Sequence, residues 1–113
     1  MIQAIKKEIE DRKSFIKSPI TSIYYGGGTP SIINPDAINN LLETIYKNYK
    51  IDRIPEITLE CNPEDISVKK LIAWKKSGIN RLSIGVQSFN NDILRIMNRI
   101  HNSEQSIKSI KKA

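Results

Sequence analysis

Three short runs rich in β-branched and aromatic residues, separated by helical patterns, constrain the fold of this chain more than any other feature. The runs cover residues 21–25, 56–61 and 81–86, and their composition is typical of strands. Asn34 and Pro35, a capping residue followed by a residue with a preset φ, begin a helical pattern between the first two runs. Strands that alternate with helices form βαβ units and a parallel sheet. The predicted order is α-β-α-β-α-β-α-α, an α/β fold with about three parallel strands and intervening helices.

Capping residues and spaced apolar residues define the other helices. A helix precedes the first strand and ends before Pro19, and Ser67 and Gly78 are the predicted start and stop of the helix between the second and third strands. Asn90 can cap the next helix, and Asn102, with a glutamine three residues later, resembles the capping box of a last helix. In the fourth helix we predict that Ile93, Leu94 and Met97 point inward, and we expect Trp74 of the third helix to pack rather than to stack on a ligand. The apolar residues that we predict to share a helical face are Ile2, Ile5, Ile9 and Ile16 in the first helix, Ile38, Leu41, Leu42, Ile45, Tyr46 and Tyr49 in the second, and Val68, Leu71 and Ile72 in the third.

The length of 113 residues, 39% of them hydrophobic, is enough for one domain with a modest core. Three strands make a small sheet, and parallel sheets normally bury both faces, so the pattern suggests a piece of a larger α/β barrel or sheet.

No run approaches the roughly 18 apolar residues of a membrane helix, and residues 1–12 mix charges with isoleucines, unlike a secretory signal. Cys61 is the only cysteine, which excludes an internal disulfide and a multi-cysteine metal site and fits a reducing cytoplasm.

The net charge of +6 comes from 18 basic and 12 acidic residues. Most of the basic residues are lysines, and lysine, isoleucine and asparagine all have AT-rich codons, so base composition accounts for most of the excess. Nucleic-acid binding is not predicted, because the chain lacks an arginine-rich stripe, a stacking pair of aromatic residues and a zinc spacing. A functional surface for polyanions is the weaker alternative.

The ends of the predicted strands carry the most distinctive polar and glycine-rich segments. Ligands of parallel α/β folds bind at the carboxyl ends of the strands. Residues 26–28 are three glycines, followed by Thr29 and Pro30, and this loop matches neither the dinucleotide fingerprint nor the P-loop. Glycine admits positive φ and the close approach of a ligand. Three glycines after a strand therefore favour ligand contact over a simple tight turn.

Single polar residues at or after the strand ends leave two interpretations open. Glu60 can bind a cationic group or ribose hydroxyls, or it can pair with an exposed lysine. Gln87 suits an adenosine or amino-acid ligand, or it caps a loop. Arg99 can reach a carboxylate or lie on the surface. His101 and Cys61 are better explained by packing or hydrogen bonding than by ligand contact or reactivity.

Four motifs, in order and at matching spacing, resemble the radical S-adenosylmethionine (SAM) family of oxygen-independent coproporphyrinogen III oxidases and their relatives. They read Y-G-G-G-T-P-S at 25–31, I-T-L-E-C-N-P at 57–63, N-R-L-S-I-G-V-Q-S-F at 80–89 and R-I-H at 99–101. The finer resemblance is to the haem chaperone branch, HemW, of which E-x-N-P, Q-S-F and R-I-H are typical. The resemblance covers nearly the whole chain.

This resemblance implies part of a radical SAM partial (β/α)6 barrel, comprising strands two to four of six. In complete relatives it implies SAM, a 4Fe–4S cluster and haem as ligands. The cluster ligands of the family, in a Cys-x3-Cys-x2-Cys loop, would lie upstream of Met1, and Cys61 stands in a different motif. We therefore expect residues 1–113 to form a partial core domain that lacks the first strand, the cluster-binding loop and the C-terminal part. The residues that the resemblance assigns to SAM are Gly27, Gly28, Thr29, Glu60, Gln87 and Arg99.

The function implied by the resemblance is haem binding and transfer that depends on SAM and the cluster, which this chain is expected not to perform alone. One alternative is a fragment of a coproporphyrinogen III oxidase of porphyrin biosynthesis. Another is a non-catalytic subunit that pairs with a separate cluster-bearing half, and a third is the product of a truncated or decaying gene. The expected partners are SAM and haem or porphyrin, in the cytoplasm, with no nucleic acid and no membrane span.

Overall fold

The computed structural model describes residues 1–97 and 101–113. It contains one sheet of three parallel strands in the order β1-β2-β3, formed by Ile20–Tyr25, Ile51–Cys61 and Arg81–Ile84. Because the strands are parallel, their carboxyl ends lie along one edge of the sheet. The predicted α/β architecture is confirmed.

Helices connect the strands in the predicted order. Two short 3-10 turns follow the first two strands: the first turn, Pro30–Ile32, comes after residues 26–29, and the second turn, Pro63–Asp65, comes one residue after β2. The helices are α1 at Ile2–Asp11, α2 at Pro35–Asn48, α3 at Val68–Ser77, α4 at Asn91–Ile96 and α5 at Ser103–Lys112.

The predicted capping residues begin and end these helices. The side chains of Asn34, Ser67 and Asn90 accept hydrogen bonds from the first turns of α2, α3 and α4. Asn102 forms a complete capping box at the start of α5. Gly78 ends α3 in the left-handed conformation, with φ of 102°, which a residue without a Cβ adopts at little cost.

The core lies on one face of the sheet, beneath α2 and α3. Alternate residues of β2 point into it, and Trp74 of α3 is 1% exposed in its centre, which confirms the predicted packing role. The opposite face of the sheet carries polar side chains, including an ion pair of 3.3 Å between Glu56 and Arg81. The buried core residues are Ile38, Leu42, Ile57, Leu59, Cys61, Ile66, Trp74 and Ile79.

Several boundaries differ from the sequence prediction. Helix α1 ends at Asp11 and not near Ile16, because the chain forms a turn immediately afterwards. Strand β2 begins at Ile51 instead of residue 56, since its extra first residues still pair with the start of β1 across a shift in register. Strand β3 ends at Ile84 instead of residue 86, because the amide of Val86 bonds back to the Ile84 carbonyl at 3.0 Å.

Two residues in α4 and at its C-terminal end that we predicted to point inward are partly exposed. Leu94 is buried as predicted, but Ile93 and Met97 are each 46% exposed. Helix α4 has six residues, fewer than two turns, so it presents only a short stretch of its surface to the core.

Candidate functional site

A cleft of about 300 Å³ lies at the carboxyl ends of the three strands. It is open to solvent and mostly polar, and each of its three sides begins at the end of one strand. This is where parallel α/β folds bind their ligands. The lining residues are Gly28, Thr29, Pro30, Glu60, Cys61, Asn62, Ser83, Gly85 and Gln87.

The glycine loop after β1 forms the first side of the cleft. Gly27 and Gly28 have φ of 86° and 64°, a left-handed conformation that disfavours other residues. A Cβ built on either glycine would meet no atom of the chain within 4 Å. These glycines are therefore required by the backbone conformation and leave free space beside it, which is the arrangement that admits a ligand.

Glu60, near the end of β2, has both carboxylate oxygens held by the first side of the cleft. Its Oε1 accepts a hydrogen bond of 2.6 Å from the Tyr24 hydroxyl, and its Oε2 accepts one of 3.1 Å from the Gly27 amide. The bond to Glu60 raises the pKa of the Tyr24 phenol, an effect that the neighbouring Ser83 hydroxyl partly offsets. The two donors fix the direction of the carboxylate and leave its remaining lone pairs for a ligand.

Gln87 belongs to the turn that follows β3. Among the described residues it is the only one other than glycine with a positive φ, at 67°. Such a conformation is strained for a glutamine and tends to occur where surrounding contacts enforce it. A Cβ added to Gly85 would lie 3.3 Å from the Gln87 side-chain nitrogen and from Oδ1 of Asn62, so this side of the cleft is closely packed.

Cys61 lines the cleft but is not suited to chemistry. Burial, with a smaller contribution from Asp65, raises the pKa of the Cys61 thiol to about 11. The thiol therefore stays protonated at neutral pH, whereas a nucleophile or a metal ligand must be a thiolate. This agrees with the structural role predicted for it.

The structure brings together most of the residues that the family resemblance assigned to SAM. Gly28, Thr29, Glu60 and Gln87 line one cleft, and Gly27 joins it through its hydrogen bond to Glu60. Arg99 lies outside the described residues, so its prediction stays untested.

His101 does not reach the cleft as a ligand. It is 2% exposed, and its Nε2 lies 2.8 Å from the carbonyl oxygen of Val86. The sequence left packing and hydrogen bonding open as structural roles for His101, and the structure shows the hydrogen-bonding role.

Sequence reasoning missed two polar residues of this site. Tyr24 orients Glu60, and Ser83 lines the cleft opposite Glu60, its partner in the β2–β3 register. The signal that would have found them is the alternation of strand residues, which places every second side chain on the same face of the sheet.

The residues present do not fit a metal cluster. No group of three histidine, cysteine or acidic residues that could hold a metal ion occurs in residues 1–97 or 101–113. The sequence contains one cysteine, whereas iron–sulfur clusters are held by several thiolates.

Comparisons with known proteins identify the class to which this site belongs. The model of the radical SAM superfamily matches residues 2–113. The haem chaperone HemW of Buchnera aphidicola subsp. Schizaphis graminum is 41% identical over 110 residues, which are 96% of this chain and 29% of that protein. The mitochondrial radical S-adenosyl methionine domain-containing protein 1 of Danio rerio is 40% identical over 114 residues, covering 100% of this chain and 26% of that protein. Among solved structures, the coproporphyrinogen III oxidase HemN from Escherichia coli, a radical SAM enzyme, superposes with a TM-score of 0.88 at 31% identity, over 99% of this chain and 26% of that one.

The chain therefore belongs to the radical SAM superfamily. Within the superfamily it is homologous to the HemW haem chaperones and similar in structure to HemN, which confirms the resemblance drawn from its motifs. It spans between 26% and 29% of the length of the relatives described here.

No helix within the described parts of the chain combines the length and the apolar character needed to cross a bilayer.

Proposed function

We propose that this chain supplies the SAM-binding cleft of a HemW-like haem chaperone. One observation carries the proposal: a left-handed glycine loop, an oriented carboxylate and a strained glutamine lie around one cleft at three adjacent strand ends. The homology to HemW supports the particular branch. Residues 1–113 would then be a partial core domain of the radical SAM fold.

The chemistry of the cleft suits the polar groups of SAM. SAM carries an α-ammonium, a carboxylate, ribose hydroxyls and an adenine. Glu60 offers a carboxylate to the ammonium or to hydroxyls, and the amides of the glycine loop offer donors to the carboxylate. Gln87 offers both a donor and an acceptor to a neutral group. Arg99 would add a cation that binds a carboxylate.

The radical SAM superfamily in general uses a 4Fe–4S cluster, which donates an electron to SAM when it is bound. The thiolates for such a cluster must come from residues other than those of this chain, because the chain has one cysteine and that cysteine is buried. Haem binding and transfer, in a protein that also supplies the cluster, is the activity that we propose for the whole. The only cysteine of this chain is a free thiol, which is compatible with a cytoplasmic protein.

The second candidate function is decarboxylative oxidation of coproporphyrinogen III. The structural similarity to HemN favours it, since the two folds superpose over 99% of this chain. The sequence relatives favour HemW, because HemW proteins of several organisms are 34–41% identical to this chain. A further arrangement, in which the chain pairs with a separate cluster-bearing half, would supply the missing thiolates for either activity.

Isothermal titration of the chain with SAM tests the proposal. We expect weak, saturable binding, because the cluster that would also hold SAM has no ligands here. Glu60→Gln should bind SAM at least about tenfold more weakly, since it loses the charge that pairs with the ammonium. Glu56→Gln is the matched control, because Glu56 lies in the same strand and forms a partly exposed ion pair with Arg81; its affinity should equal that of the wild type.

Two results would contradict the proposal. One is the absence of SAM binding by a folded wild-type chain at millimolar SAM. The other is an equal loss of affinity in Glu56→Gln and Glu60→Gln, which would indicate a general charge effect and not a contact in the cleft.

A further inference from the structure

His101 is buried behind the cleft and not inside it. Its side chain is fully enclosed, and its Nε2 lies 2.8 Å from the carbonyl oxygen of Val86. A carbonyl oxygen can only accept a hydrogen bond, so Nε2 carries the hydrogen and donates it. The other ring nitrogen, Nδ1, is 2.9 Å from Oε2 of Glu64, which is an ion-pair distance, although the approach is out of line for a hydrogen bond.

The carbonyl that His101 holds belongs to the turn that carries Gln87. Within this turn the Val86 amide donates to Ile84 at 3.0 Å, and the Ser88 amide donates to the same Val86 carbonyl at 2.8 Å. Between them Gln87 adopts its strained φ of 67°. A conformation of this kind costs on the order of 1–3 kcal/mol and persists where its surroundings enforce it. The bond from His101 is a contact from outside the turn that helps to enforce this conformation.

The second 3-10 turn, Pro63–Asp65, lies beside the other ring nitrogen of His101. Glu64 faces the imidazole, and Asp65 accepts a hydrogen bond of 2.7 Å from the Ser31 hydroxyl, just after the glycine loop. Ser109 of α5 donates a bond of 2.7 Å to the Pro63 carbonyl. The turn therefore connects the loop after β1, the second half of α5 and, through His101, the turn after β3.

We infer that His101 is a positioning residue, which fixes the orientation of Gln87 towards the cleft by holding the Val86 carbonyl through its Nε2–H. The inference rests on the proposed function in that Gln87 is taken to contact SAM. His101 itself does not touch the ligand, because it is enclosed on all sides. It acts on the backbone of the residue next to the one that binds.

Two variants of His101 in the 113-residue chain separate positioning from simple packing. His101→Phe keeps a ring but loses the donor, and it should bind SAM about tenfold more weakly and exchange the Ser88 amide hydrogen faster. His101→Gln retains a side-chain N–H that can donate to Val86, and it should recover part of both losses. Ser109→Ala is the control, because it removes another buried hydrogen bond to the second turn without touching Val86. It should lower the free energy of unfolding and leave SAM affinity and Ser88 exchange unchanged.

A spectroscopic readout keeps the test independent of SAM. His101 is the only histidine, so a solvent-protected imidazole N–H resonance in an NMR spectrum belongs to it without further assignment. We expect that resonance in the wild type and in Ser109→Ala. If the resonance is absent, or if His101→Phe binds SAM like the wild type, the inference is overturned while the proposed function stands. If the wild type does not bind SAM, the proposed function and the positioning of a ligand fail together.

Discussion

At the scale of single residues, the side chains around the cleft are held by partners far away in the sequence. Glu60 is fixed by Tyr24 and Gly27, and Gln87 is held in a strained conformation by a turn that His101 supports. Such pre-orientation lowers the entropic cost of binding, because the ligand does not have to order the groups that recognise it. The cleft is therefore organised before a ligand enters it.

Cys61 gives a prediction about pH at this scale. Burial raises its pKa to about 11 from an ordinary value near 9, so the folded state retains the proton longer than the unfolded state. The stabilisation is fully present below pH 9 and is lost as the pH rises to about 11. Chemical denaturation at pH 8, 9, 10 and 11 should show an unfolding free energy that falls by on the order of 2 kcal/mol more in the wild type than in Cys61→Ala.

The comparison between these two proteins controls for other groups. Tyr25 also has a raised pKa because it is buried, but it titrates in both proteins and so cancels in the difference. Parallel pH profiles for the wild type and Cys61→Ala would show that the thiol ionises freely in the folded chain.

At the scale of elements, the helices begin and end where local chemistry dictates. Helix α3 lies between the Ser67 cap and the left-handed Gly78, and α5 begins with a capping box at Asn102. These signals act within one turn of helix, so the sequence shows them directly. The side chains that a helix buries are not set by such local signals, because the element that packs against the helix determines which of them become buried. In α5 the buried side chains are Ser106 and Ser109, and the larger Ile107 and Ile110 are partly exposed.

Gly78→Ala tests how strongly a single position ends α3. A Cβ at φ of 102° is strained whatever space surrounds it, and we expect the free energy of unfolding to fall by about 1–2 kcal/mol. Gly78→Asn is the matched control, since asparagine tolerates the left-handed region better than alanine, and it should cost less. Denaturant unfolding measures both. Equal losses in the two variants would point to crowding of the added side chain against Ile57 instead of backbone strain.

At the scale of the whole molecule, this chain contains a sheet, a core and a cleft but a single cysteine, whereas a cluster requires several thiolates. It superposes closely on a quarter of HemN. Its sheet has two edge strands, β1 and β3, and its cleft is open to solvent on one side. The chain therefore contains the cleft that we propose for SAM, and it does not contain the several thiolates that hold an iron–sulfur cluster.

Reconstitution with iron and sulfide tests this division. The lone cysteine is buried and its thiol stays protonated at neutral pH, so the chain should remain colourless and retain no iron after desalting. Iron analysis and a visible absorption spectrum provide the measurement, with Cys61→Ala as the control. Stoichiometric iron retained by the wild type but not by Cys61→Ala would show that Cys61 is a ligand after all.

The sequence by itself determined the order of the elements, the caps of the helices and the convergence of five candidate residues on one edge of the sheet. These features follow from periodicity and from contacts within a few residues, and both can be recognised in a sequence alone. The start of β2 and the end of β3 were less well predicted, because the pairing partner of a strand decides where its ladder begins and stops.

The tertiary structure alone decided which side chains support the site. The bond from Tyr24 to Glu60 spans 36 positions of the chain, and that from His101 to Val86 spans 15. Such contacts depend on the register of parallel strands and on the docking of α5, neither of which leaves a local pattern. The exposure of Met97 and the burial of Ser109 have the same origin. Local interactions determine the secondary structure of each segment, and packing between distant segments determines which contacts each side chain makes.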